Sequence, residues 1–156
     1  MGKIKFSCWV KWENRQQQLK DDLRHPGIYA LAISISSLAD KSFSWDREIV
    51  YFGMTNSATG LKGRLKQFDN TINGKDGHGG AWRFRYDHPN YTELISKLYV
   101  AVSSFECKVT SNKPSDLLIM GDVAKAEYEC WAEYVAKFNQ LPKYNDKKNS
   151  PKYQPS

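Results

Sequence analysis

The apolar residues of this chain fall into three strand-length clusters and two helical stripes. Residues 27–36 are rich in small and branched side chains with weak alternation, as in a buried strand. Residues 48–54 predict a second strand. The polar residues 37–47 between them predict a hairpin connection. A third strand is predicted over residues 97–106, with Leu98, Val100 and Val102 on one face. Leu61, Leu65 and Phe68, spaced by four and three residues, mark one face of a helix. Val123, Cys130, Trp131, Tyr134 and Phe138 form a second stripe. It belongs to a long helix that opens at Lys113-Pro114-Ser115-Asp116, with an interruption open at Gly121, and stops at Leu141-Pro142. Together these predict one small α/β domain with three strands and flanking helical segments.

The segments between these clusters are more polar. Residues 12–23, with Gln16-Gln17-Gln18, predict a short exposed helix that ends at the turn signal His25-Pro26-Gly27. Residues 73–80 carry Gly74, Gly77, Gly79 and Gly80 and are expected to be the most flexible stretch. Residues 81–86 predict a short helix bearing Arg83 and Arg85. No repeat and no second core is visible. Residues 1–145 therefore read as one domain with an N-terminal helical extension. Residues 146–156, rich in lysine, proline and serine, read as a basic flexible tail.

Composition narrows the partner. A chain of 156 residues suits a single core. Its net charge of +6 favours an anionic partner, nucleic acid first. Cys8, Cys107 and Cys130 are too scattered for a zinc site, and their odd number argues against a closed disulfide framework. A reducing, cytoplasmic setting is the simplest expectation. No apolar run has the length of a membrane span, and the first residues lack the apolar core of a signal peptide.

The candidate chemistry starts from two strand tyrosines. Tyr29 lies in Gly27-Ile28-Tyr29 and Tyr51 in Tyr51-Phe52-Gly53, at equivalent places in their strands. Paired as a hairpin, the strands bring both phenols to one face. Strands also favour tyrosine for packing alone. A phenol of ordinary pKa, about 10, is a poor base near neutrality unless a cation lowers that value, and Arg64 or Lys62 is the candidate cation. Arg64 is also the residue type suited to clamp a phosphate in fixed geometry. Among Glu127, Glu129 and Glu133, only Glu127 falls within the apolar stripe. A carboxylate there is costly unless it is paired, for instance to Lys125 or Arg64, or bound to a metal. His78, in the glycine-rich stretch, is a candidate substrate or proton contact. Asn145 follows the long helix and is a candidate turn cap or site residue.

Tyr29, Tyr51, Gly53, Arg64, Glu127 and Asn145, in that order and rough spacing, resemble the pattern of the GIY-YIG nuclease family, with Phe52 in place of the middle isoleucine. The resemblance implies a three-stranded antiparallel sheet with flanking helices and one divalent metal, Mg²⁺ or Mn²⁺, held by Glu127. It implies that Arg64 clamps the scissile phosphate and that Tyr51 serves as base with Tyr29 in support. Asn145 corresponds to the asparagine that closes the site. One departure stands out. Phe68, four residues after Arg64, occupies a position where relatives often carry His or Tyr, and phenylalanine moves no proton. Either His78 substitutes, or Tyr51 and a lysine suffice, or activity is impaired. The long Glu127–Asn145 spacing keeps Glu129 and Glu133 as alternatives.

These readings converge on a metal-dependent endonuclease acting on DNA, of restriction or phage type, with Lys62, Lys66, Arg83, Arg85 and the tail lysines on the backbone. Economy suggests a homodimer for cutting both strands. The alternatives are a catalytically silent nucleic-acid-binding module, and a basic scaffold that binds proteins. The scaffold reading would be favoured by an exposed cluster of Trp9, Trp12 and Trp45.

Overall fold

The computed structural model describes residues 4–75 and 78–145, so the expected basic tail lies outside the described residues. The elements, in chain order, are β1 (Val10–Lys11), α1 (Arg15–Gln18), β2 (Gly27–Ile33), β3 (Ile49–Thr55), α2 (Gly60–Ile72), α3 (Ala81–Asp87), α4 (Tyr91–Ile95), β4 (Leu98–Ser104) and α5 (Pro114–Phe138). Single 3-10 turns flank α1 at Trp12–Asn14 and Asp22–Arg24. The sheet is antiparallel throughout, in the order β1-β4-β2-β3. The mixed α and β class is as expected, but the sheet has four strands rather than three. The extra one, β1, pairs only Val10 with Val100 and Lys11 with Tyr99. Two residues are too few to show a period.

Helices cover both faces of the sheet. On one face Tyr29, Leu31, Val100 and Val102 pack with Leu61, Leu65 and Phe68 of α2 and Phe84 of α3. On the other Ile28, Ala30, Ala32, Phe52 and Ala101 pack under Val123, Ala126, Cys130 and Tyr134 of α5. Burial on both sides explains why β2 alternates so weakly. Each fully buried leucine or phenylalanine contributes about 1.5–3 kcal/mol from removal of apolar area.

The N-terminal segment departs from its expected exposed helix. Gln16, Gln17 and Gln18 face solvent, but Trp12, Leu19 and Leu23 are buried in the core. Trp12 packs on Phe68, with ring centroids 5.5 Å apart, and its indole N–H donates to Asp69 Oδ1 at 2.8 Å. Tertiary burial of three widely spaced anchors thus decides the segment, not a helical stripe. Trp9 is buried too, and Trp45 packs on Phe43 and Phe52, so the tryptophans form no exposed cluster. That removes the feature that would have favoured a protein-binding scaffold.

α5 runs unbroken through Gly121, whose missing Cβ faces open space. Pro114 sits in its first turn, where a missing N–H costs nothing. Asn139 ends it in the left-handed conformation, φ 60°. α4, unforeseen from the apolar pattern, is capped by Asn90, whose side chain accepts from the Glu93 N–H. Among the described residues no helix is long and apolar enough to cross a membrane.

Candidate active site

The two tyrosine-glycine signatures are explained by strand register. Tyr29 of β2 stands opposite Gly53 of β3, and Leu31 stands opposite Tyr51. The Tyr29 ring lies across Gly53, where any Cβ would collide with the phenol. Tyr51 is two residues along the same face, so the ring centroids of Tyr29 and Tyr51 are 6.1 Å apart. Gly27 meets a similar constraint on the other side, since a Cβ there would strike the Ser103 carbonyl of β4. The glycines exist to let a large ring and a neighbouring strand approach.

At the outer edge of β3 a cavity of about 670 Å³ gathers residues from both helical layers. Tyr51 comes from β3, Arg64 from α2, Glu127 from α5, His78 from the turn before α3, and Asn145 from the segment after α5. Tyr29 is fully buried behind this wall. The six residues singled out in the sequence are therefore adjacent, but they do not play equal parts.

Arg64 Nη1 donates weakly to Gln67 Oε1 at 3.3 Å, and its buried Nε–H has no partner among the described residues. A buried, unsatisfied donor costs about 1–3 kcal/mol, so an anion in the cavity would relieve this position. Glu127 is half-buried at the cavity wall. Lys125, considered as its partner, is exposed. Desolvation raises the Glu127 carboxyl to about 7, and the positive charge of Arg64 offsets only part of that effect. Glu129 and Glu133 do not line the cavity, and Glu133 is instead tied to Lys137 at 3.7 Å.

Tyr51 corrects an expectation. The charges of Arg64 and Arg83 do favour its phenolate. Burial outweighs them, and the pKa is raised rather than lowered. Lys62 takes no part, because it is exposed. Tyr29, wholly buried, is held well above the ordinary phenol range by desolvation and cannot itself be a base.

His78 lines the cavity but is largely buried. Its backbone N–H donates to Thr71 Oγ1 at 2.7 Å, its Nδ1 accepts from the Gly80 N–H at 3.1 Å, and its Nε2 lies 2.9 Å from the Tyr29 hydroxyl. Burial, then the charge of Arg64, lower its pKa to about 4, so the ring is neutral at neutral pH. Phe68 is fully buried, with its ring centroid 5.3 Å from that of His78. His78 thus stands beside Phe68 and lines the same cavity.

Asn145 is occupied by the backbone. Its Oδ1 accepts from the Phe52 N–H at 2.8 Å, and its Nδ2 donates to the Phe52 carbonyl at 3.1 Å. Lys62 and Lys66 are exposed on α2, as a backbone-contacting surface requires. Arg83 is not on that surface. It is buried in the cavity wall and donates to the Tyr144 carbonyl at 2.6 Å. Arg85 lies over the Trp82 ring at 5.7 Å. Arg83 and Arg85 are two apart on one helix, so they cannot share a face.

Two cavity residues were not foreseen, Trp82 and Trp131. The buried Trp131 Nε1–H has no partner. Trp131 belongs to the apolar stripe of α5 next to Glu127, and that neighbourhood was the available signal.

Among the described residues no three His, Cys, Asp or Glu side chains converge as a metal cage. The donor set that the cavity offers is a single carboxylate, Glu127. This fits Mg²⁺, which keeps most of its waters and is held by one or two carboxylates together with substrate phosphate oxygens.

Compared with known proteins, the chain matches no family model, no curated protein and no solved structure.

Proposed function

We propose that this chain is a divalent-metal-dependent endonuclease that hydrolyses DNA phosphodiester bonds, resembling the GIY-YIG enzymes of restriction or phage type. One observation carries the reading. A phenol, a guanidinium with an unpaired buried N–H, and a desolvated carboxylate reach one cavity from β3, α2 and α5.

Arg64 binds the non-bridging oxygens and stabilises the charge that grows on them at the pentavalent transition state. Because burial raises the Tyr51 pKa, the phenolate that takes a proton from water forms only in alkaline solution, and cleavage through this base rises with pH. That water's oxygen forms the new P–O bond, the P–O3′ bond breaks with its electron pair on the 3′ oxygen, and solvent protonates the leaving group. Glu127 would hold Mg²⁺ or Mn²⁺, which when bound supplies Lewis-acid polarisation of the phosphoryl oxygen. Lys62 and Lys66 bind the backbone from the exposed face of α2. Cutting both strands through this same site calls for a homodimer.

The test is incubation with plasmid and linear DNA, in Mg²⁺ and in EDTA, of the native chain beside Glu127→Ala and Arg64→Ala. Metal-dependent nicking that falls by about 10²–10³-fold in each variant is the expected result. DNA binding with no cleavage would select a catalytically silent nucleic-acid-binding module, the reading favoured by the buried Phe68 and the raised Tyr51 pKa. Absence of both would remove nucleic acid as the partner.

A further inference from the structure

The five tryptophans divide into two sets. Trp9 and Trp12 are buried, and Trp45 packs on Phe43 and Phe52. Trp82 of α3 and Trp131 of α5 are only half-buried, and both line the cavity that holds Arg64 and Glu127. Neither a phosphate clamp nor a metal ligand needs an indole beside it. Trp131 stands one helical turn after Glu127, on the same side of α5. Its Nε1–H is shut off from solvent, so what it offers the opening is the carbon surface of the ring. Exposed Tyr128 meets that ring edge to face, with centroids 5.0 Å apart, and extends the aromatic surface along α5. On α3 the Arg85 guanidinium lies over the Trp82 ring at 5.7 Å, which sets a positive charge next to the indole.

Aromatic surface interleaved with positive charge is the chemistry that holds an unpaired strand. Every nucleobase has a flat π face, and stacking on an aromatic side chain binds it without reading its identity. In a continuous duplex the neighbouring base pairs cover those faces, and a base must be unstacked before a side chain reaches them. The cavity, about 670 Å³, falls within the range of about 300–1,000 Å³ that encloses a single small molecule, the size class of one nucleotide. We propose that Trp82 and Trp131 form a base-stacking subsite beside the Arg64 clamp, so that the preferred substrate is DNA with an unpaired base at the cleaved position: a single strand, a bulge, or a base swung out of a duplex. The substrate class rests on the nuclease reading, whereas the stacking does not. Because the Trp131 donor is buried, the subsite senses that a base is unpaired and not which base it is.

Binding of the full chain in EDTA, followed by fluorescence anisotropy at one salt concentration, tests this with two pairs of probes. Oligothymidylate is compared with the same backbone bearing abasic sites, and a bulged duplex with a continuous one. Within each pair the phosphates are matched, so the difference reports the bases. The base-bearing strand and the bulged duplex should each bind about tenfold more tightly than their counterparts and quench tryptophan fluorescence. Trp82→Leu should abolish both preferences and leave binding of the abasic strand and the continuous duplex unchanged. Trp82→Phe, which returns an aromatic face, should restore them. Equal affinities within both pairs for the native chain overturn the proposal, as does a preference that survives in Trp82→Leu. If Trp82→Leu does not fold, Trp131→Leu is read in the same way. Addition of Mg²⁺ separates the two readings. Cleavage with no preference for unpaired bases overturns the subsite and leaves the nuclease standing. A Trp82-dependent preference in binding with no cleavage overturns the nuclease and leaves the subsite.

Discussion

Tyr29 and Gly53 face each other across β2 and β3, and the phenol of one occupies the space that a side chain on the other would need. Because Tyr29 is fully buried, its ring has nowhere to retreat. Gly53→Ala should therefore destabilise the fold by about 1–3 kcal/mol, the usual cost of overpacking a core. Urea denaturation measures this. The same substitution should move Tyr29 off His78, so a lower midpoint with unaltered Tyr29 and His78 NMR signals would contradict the register argument.

Glu127 makes stability depend on pH. Burial raises its folded pKa from 4.5 to about 7. The sign follows. The folded state holds the proton more tightly, so this group's contribution is full below pH 4.5 and is lost as pH rises through about 7. Glu127→Gln should be more stable than the native chain at pH 8 without metal, by about 1–2 kcal/mol after allowance for solvent screening. At pH 4 the two should unfold at similar denaturant concentrations. If Glu127 holds Mg²⁺, adding the ion at pH 8 should raise the melting temperature of the native chain and leave Glu127→Gln unmoved.

The basic residues divide into two groups. Lys62 and Lys66 are exposed, while Arg83 is buried against the Tyr144 carbonyl. Replacing both lysines by alanine should leave stability unchanged and flatten the salt dependence of DNA binding by about 2 in log–log slope. Arg83→Ala should instead cost about 2 kcal/mol of stability, since it leaves a buried carbonyl without its donor. Filter binding over a salt series, beside thermal melts, separates the two classes.

Gly121 sits mid-helix, exposed, with open space where its Cβ would be. Gly121→Ala should stabilise the chain by about 0.5–1 kcal/mol through helix propensity alone. A loss of stability would mean that α5 is broken there after all.

The sequence carried more of the fold than of the site's internal roles. β4, α2 and α5 were legible from their apolar spacing or a sharp stop, and β2 and β3 from apolar runs set off by the turn His25-Pro26-Gly27 and the polar residues 37–47. The burial of Trp12 and Leu23 was not, because it depends on partners such as Phe68, more than fifty positions away from Trp12 in the chain. α4 did carry a local signal, Asn90 three residues before Glu93, that apolar periodicity does not register. The order of Tyr29, Tyr51, Arg64 and Glu127 was enough to predict their neighbourhood. It could not show that burial outweighs Arg64 at Tyr51, or that Thr71 fixes His78 in place. Those outcomes depend on desolvation and on contacts between elements, which residue spacing does not record.

Asn145 carries a consequence beyond the cavity. An outermost strand offers unpaired N–H and C=O groups to any other extended chain, and proteins that leave such a border bare tend to clump. On β3 the Phe52 N–H and carbonyl are both taken by the Asn145 amide, and the Val50 carbonyl by the Tyr144 N–H. The residue at the cavity wall therefore also covers the middle of the sheet's β3 edge, so the opening sits beside a border that is partly closed to other extended chains.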